Sequence, residues 1–112
     1  MVNMMKALVF TAPHTFEYQD VPRPEPAPDE VLVEVKACAI CGSDVHGSSG
    51  ENGRRIPPLV MGHEASGTIA QLGEAVQSWA VGDRVTFDST EYCGCCWFCT
   101  HAVSYTHLRA HE

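Results

Sequence analysis

The chain has 112 residues, 45% of them apolar and 19% charged, with a formal net charge of −7. That length allows one domain around one modest core, and that balance fits a folded chain rather than a disordered one. An acidic chain with no basic run is a poor partner for nucleic acid or an anionic membrane, and no apolar run approaches the length of a bilayer span.

In chain order, "MKALVF" (Met5–Phe10) is short, apolar and rich in strand formers, and reads as a first strand. "TAPHTFEYQDVPRPEPAPDE" has five prolines; a short strand fits around Phe16–Gln19, and the second half reads as an extended proline-rich loop. "EVLVEVKACAI" (Glu30–Ile40) alternates, with Val31, Val33, Val35 and Ala37 on one side, and predicts a strand with one buried face. "CGSDVHGSSGENGRRIPPLVMGHE" is too rich in glycine and serine to be one element, but Ser43 and Asp44 suit the start of a turn or short helix. "ASGTIAQLG" (Ala65–Gly73) and "VGDRVTFD" (Val81–Asp88) read as two further strands, the second led in by a Gly-Asp turn. Several short strands with almost no helical periodicity predict a mainly β domain, a small barrel or sandwich.

The opening "MVNMMKALVF" is followed by no small-residue cleavage site, so it reads as a cytoplasmic start rather than an export signal. In a reducing compartment the six cysteines then read as metal ligands or redox groups, not as a disulfide framework.

Two constellations carry chemistry. "CGSDVH" sets a thiol, a hydroxyl, a carboxylate and an imidazole within six residues, and "GHE" adds His63 and Glu64. Thiolate, imidazole and carboxylate are the donor types of catalytic zinc sites, although Cys41 and His63 could meet only through the fold. Ser43 and Asp44 could equally be a helix cap, and His46 and His14 ordinary loop histidines. Cys38 with Cys41 forms a C-x-x-C, but no thioredoxin-like βαβ pattern surrounds it, and Cys38 is expected to be a buried thiol behind the strand. Further on, Cys93, Cys96 and Cys99 have the C-x₂-C-x₂-C spacing that wraps thiolates around one tetrahedral zinc, with Cys95 as an extra thiol.

"GHEASGTIAQLGEAV" resembles the signature of the zinc-containing medium-chain alcohol and polyol dehydrogenases, at Gly62, His63, Glu64, Gly67, Gly73 and Val76. "CAICGSDVH" and "VGDRV" resemble the same family at the expected distances, so the likeness runs from about Met5 to Cys99. It implies a GroES-like, partly open β-barrel over residues 1–100 with a cysteine-rich zinc lobe, in a family where a Rossmann domain follows and binds NAD(P). It also implies two Zn²⁺ ions. Cys41 and His63 would hold the catalytic one, with Glu64 beside it or as a further ligand, and Asp44 would orient His63. Ser43 would take the proton of the substrate alcohol and His46 would pass it to solvent while hydride goes to the nicotinamide. Cys93, Cys96 and Cys99 would hold the structural zinc, with His107 standing where the family has a fourth cysteine. Gly42 leans towards the sorbitol/iditol-type branch.

No G-x-G-x-x-G follows a strand, so the sequence is expected to stop before the Rossmann domain and to be inactive alone, NAD(P) and a small alcohol or polyol being bound by an intact, homo-oligomeric parent. Residues 101–112, "HAVSYTHLRAHE", do not resemble the family and read as a foreign or aberrant tail. Two non-enzymatic readings compete. One is a zinc ribbon from Cys38/Cys41 and Cys93/Cys96, though 51 residues separate Cys41 from Cys93 where such ribbons use roughly 15–20. The other is a metal-free GroES-like interaction barrel.

Overall fold

The chain enters as a hairpin. β1 (Met4–Ala12) turns through Pro13 and His14 into β2 (Thr15–Pro22), paired antiparallel from Met4↔Pro22 to Ala12↔Thr15. His14 takes the turn with φ of 56°, and its N–H donates to the Ser48 carbonyl at 2.7 Å, tying the hairpin tip to a distant loop. The structure is a computed structural model that describes residues 3–51, 53–91, 93–101 and 109–110.

After the proline-rich loop come β3 (Val31–Cys38), the short helix α1 (Gly42–Gly47), β4 (Leu59–Val60), β5 (Ala65–Leu72) and β6 (Arg84–Thr86). The last elements are β7 (Thr90–Glu91), α2 (Trp97–Thr100) and β8 (Arg109–Ala110). They form one sheet in the order β2-β1-β4, a second in the order β3-β5-β6, and a β7-β8 pair. The expected mainly β architecture is found. The two-residue β4 and the helix α2, too short to have a period, were not foreseen.

The buried centre is small: Ala7, Val9 and Phe10 from β1, and Ala65 and Ile69 from β5. Phe10 and Ile69 are the largest fully buried side chains, each contributing about 1.5–3 kcal/mol of transfer free energy. Phe16 packs its ring on Phe10 at 5.4 Å. The period-2 burial expected of β3 is carried by β5 instead, where Ala65, Gly67 and Ile69 are buried in turn. β3 departs from the expected single buried face. Its first three residues are half-buried and the rest exposed, with Val35 at 54%. Register shifts at Leu32/Val33 and Val35/Ala37 break its alternation, because an inserted residue flips the faces beyond it. Cys38 is likewise exposed and not buried behind the strand.

Two glycines of the signature work by close approach. A Cβ on Gly67 would lie 2.1 Å from the Glu34 carbonyl oxygen across the β3–β5 ladder. One on Gly73 would lie 2.1 Å from the Ala27 oxygen, where Gly73 N–H donates to Glu30 O and pins the proline-rich loop to the end of β5. Both neighbours are backbone, so a methyl at either place would push strand or loop away.

Candidate metal centre

The β3–β5 pairing solves the problem of distance along the chain. Cys38 lies opposite Ala65, and one step further Ala39 N–H donates to the Glu64 carbonyl at 2.8 Å. The residues running off the end of β3 therefore meet the residues running into β5, and Cys41 comes to face His63 and Glu64. Gly62, with φ of 119°, lets the chain turn into this segment, a backbone state that L side chains adopt rarely.

Cys41 is the N-cap of α1, and its N–H donates to Asp44 Oδ2 at 3.1 Å, so the acid three residues on closes the first turn. The cap thus falls two residues before Ser43, and the helix begins at Gly42. Cys41 Sγ, a ring nitrogen of His63 and a carboxylate oxygen of Glu64 all lie within 4.8 Å of one another. Ser43 Oγ sits between them, donating to Cys41 Sγ at 3.3 Å and lying 3.5 Å from His63 Nε2. On the other side of the ring, His63 Nδ1 faces Asp44 Oδ1 at 3.5 Å. A carboxylate behind a histidine is the kind of partner that orients a metal-binding imidazole. His46 is exposed in the last turn of α1.

One member of this cluster has no signature in the sequence. Arg55, in the loop after α1, is the only buried charged side chain among the described residues, at 5% exposure. Its Nη2 lies 3.6 Å from Asp44 Oδ1 and 3.5 Å from Ser43 Oγ. In "GRRIPP" it looks like a solvated loop cation.

The second cluster is built on the turn before α2. Cys93, Cys96 and Cys99 have their sulfurs within 4.8 Å of one another. Cys99 Sγ is 3.7 Å from Cys93 Sγ and 3.4 Å from Cys96 Sγ, close to the tetrahedral edge of roughly 3.8 Å that zinc–sulfur bonds of about 2.3 Å define. Gly94, with φ of 75°, makes the tight turn, and Cys96 caps α2. The N–H groups of Cys95 and Cys96 hold the Cys93 thiol below its ordinary pKa, and the Cys99 N–H does the same for Cys96. Cys95 is raised, chiefly by its contact with Cys93, and stands outside the group. His107 lies outside the described residues. Among the described residues no donor group joins Cys38 to Cys93 or Cys96, as a ribbon would require. The donor chemistry of both groups fits zinc: thiolate with imidazole and carboxylate in the first, thiolates alone in the second.

A cavity of about 560 Å³ opens beside the first cluster, with Glu64, His63, Ser66, Thr86, Asp88 and Ser89 in its wall. Among the described residues no helix is long and apolar enough to cross a membrane.

Residues 27–109 match the alcohol dehydrogenase GroES-like domain. The chain is 46% identical over 103 residues to L-threonine 3-dehydrogenase of Rhizobium etli, spanning 88% of this chain and 30% of that protein. It is 44% identical over 99 residues to sorbitol dehydrogenase of Halalkalibacterium halodurans, spanning 86% of this chain and 29% of that one. Among solved structures, a Sinorhizobium meliloti protein assigned as a zinc-binding dehydrogenase and bound to NADP superposes with a TM-score of 0.84 at 40% identity, covering 97% of this chain and 32% of its own. The chain thus spans about 30% of the length of the relatives it matches.

Proposed function

Since this chain belongs to the alcohol dehydrogenase GroES-like domain family, we propose that it is the zinc-holding part of an oxidoreductase that moves hydride between a small alcohol or polyol and NAD(P). The observation that carries this reading is the meeting of Cys41, His63 and Glu64 donor atoms within 4.8 Å, with Asp44 behind His63.

In this reading Cys41, His63 and Glu64 hold the catalytic metal, and two of the three are anionic, enough to neutralise a dication. When bound, zinc supplies Lewis acidity and NAD(P) supplies the hydride acceptor. The chain's own residues do the rest. Asp44 keeps His63 Nε2 turned towards the donor group. Ser43, already beside Cys41 and His63, takes the proton of the alcohol, and the exposed His46 hands it to water. The cavity wall mixes Ala37, Ala39, Ala65 and Phe87 with Glu64, Ser66, Thr86, Asp88 and Ser89, so it offers both apolar and hydrogen-bonding surface to a small alcohol or polyol. Cys93, Cys96 and Cys99 hold a second zinc without an open position, and its fourth donor comes from Cys95 or His107.

The test is reduction of NAD⁺ or NADP⁺ by the whole protein, offered L-threonine, sorbitol and simple secondary alcohols. The expected result is reduced nicotinamide with at least one of them, lost on metal chelation and restored by zinc. Zinc-loaded protein that reduces neither cofactor with any of these would overturn the assignment.

A further inference from the structure

We propose that Arg55 is a positioning residue of the first metal centre: it clamps Asp44, and through Asp44 the ring of His63. The inference rests on the functional reading above, since it assumes that Cys41, His63 and Glu64 hold the ion.

Arginine is almost never buried unless it is paired. The Arg55 side chain is only 4% exposed, and two of the groups it meets belong to α1. Its guanidinium reaches Asp44 Oδ1 and Ser43 Oγ. Its aliphatic stem runs over Gly47, where a Cβ would fall 2.5 Å from Arg55 Cγ. Ser43, Asp44 and Gly47 recur at the spacing of one side of a helix. The absence of a side chain at Gly47 makes room for the stem, and the head then arrives at the carboxylate.

Asp44 has three tasks at once. Oδ2 accepts the N–H of Cys41, while Oδ1 faces both His63 Nδ1 and Arg55 Nη2. A carboxylate held by the Cys41 N–H at one oxygen and by the Arg55 guanidinium at the other cannot rotate freely, so its direction bears on the imidazole of His63 and the backbone of Cys41 together. Two metal donors are thereby oriented through one carboxylate that a buried arginine holds. The two halves of the loop between α1 and β4 also differ here. Arg54 is exposed, while Arg55 is buried, so the position of the charge and not its presence decides the role.

The test is metal affinity, read in the whole protein stripped of zinc and titrated back against a chromophoric chelator, which separates the two classes of site. Arg55→Met is expected to weaken the Cys41 class about 10–100-fold, the usual cost of removing an orienting partner, and to leave the three-cysteine class unchanged. Asp44→Asn should bring a comparable loss, and Arg55→Met added to Asp44→Asn should bring little more, because the two act along one path. Arg55→Lys, which keeps the charge without the planar fork, should recover part of the affinity. If Arg55→Met fails to fold, Arg55→Lys with Asp44→Asn completes the same cycle. Affinity within about threefold of wild type in Arg55→Met overturns the inference, as does full additivity with Asp44→Asn. If wild type itself takes no zinc at the Cys41 class, it is the functional reading that has failed.

Discussion

His63→Ala, or Cys41→Ser, should cost the whole protein one of its two zinc ions and about three orders of magnitude or more in nicotinamide reduction, since Lewis-acid charge contributes several kcal/mol at about 1.36 kcal/mol per tenfold in rate. The reason lies in how few donors the first centre has. Cys41 and His63 arrive from two strands at the same end of the β3–β5 ladder, and Glu64, the third donor, is exposed. With one removed, the remaining pair is a thiolate and a carboxylate, or an imidazole and a carboxylate, and neither set closes around an ion. The fold should survive, because the buried centre of Phe10 and Ile69 does not depend on these residues. Metal analysis beside a thermal unfolding curve checks both halves. Loss of both zincs, or of none, would show that the two clusters are not independent.

The second large effect is expected from Cys96→Ser. Cys96 does more in its cluster than offer a sulfur. Its N–H donates to Cys93 Sγ at 3.4 Å, its thiol donates to Cys99 Sγ, and its carbonyl accepts from both the N–H and the hydroxyl of Thr100, closing α2. α2 has four residues, far below the length at which a helix persists alone, and Trp97 is exposed, with ring contacts to Phe98 and His101. A structural zinc is worth about 10–16 kcal/mol to a small lobe that has no other core, so its loss should unfold residues 93–101 locally. Limited proteolysis should then cut there in Cys96→Ser while leaving β5 intact. Cys95→Ala separates the two candidates for the fourth donor: its sulfur lies outside the group of three, so retention of the metal points to His107 and loss of it to Cys95. Cleavage at equal rates in Cys96→Ser and wild type would contradict the structural role of the metal.

The parts of this site that were legible in the sequence are those whose chemistry is local. "CGSDVH" and "GHE" announce donors by type and spacing, and C-x₂-C-x₂-C does so more strongly, since a single turn can close it. What brought Cys41 to His63 was not legible, because strand pairing is settled by register and by the Ala39–Glu64 backbone bond, and neither leaves a pattern in the residues. β3 failed for a related reason. Its alternation of valines is genuine, but two register shifts and an uncovered second half expose Val35 and Cys38. Arg55 was the deepest miss. Nothing local separates it from Arg54, and only the missing side chain of Gly47 and the position of Asp44, eight and eleven residues earlier in the chain, draw it inside.

The central claim is that two separate zinc centres sit on one GroES-like domain. The most direct measurement is a zinc-edge anomalous difference map from crystals of the whole protein. The account predicts two peaks, one bonded to Cys41 and His63 and one bonded to Cys93, Cys96 and Cys99. A single peak shared between Cys41 and the Cys93–Cys99 cluster, or none beside His63, would contradict it.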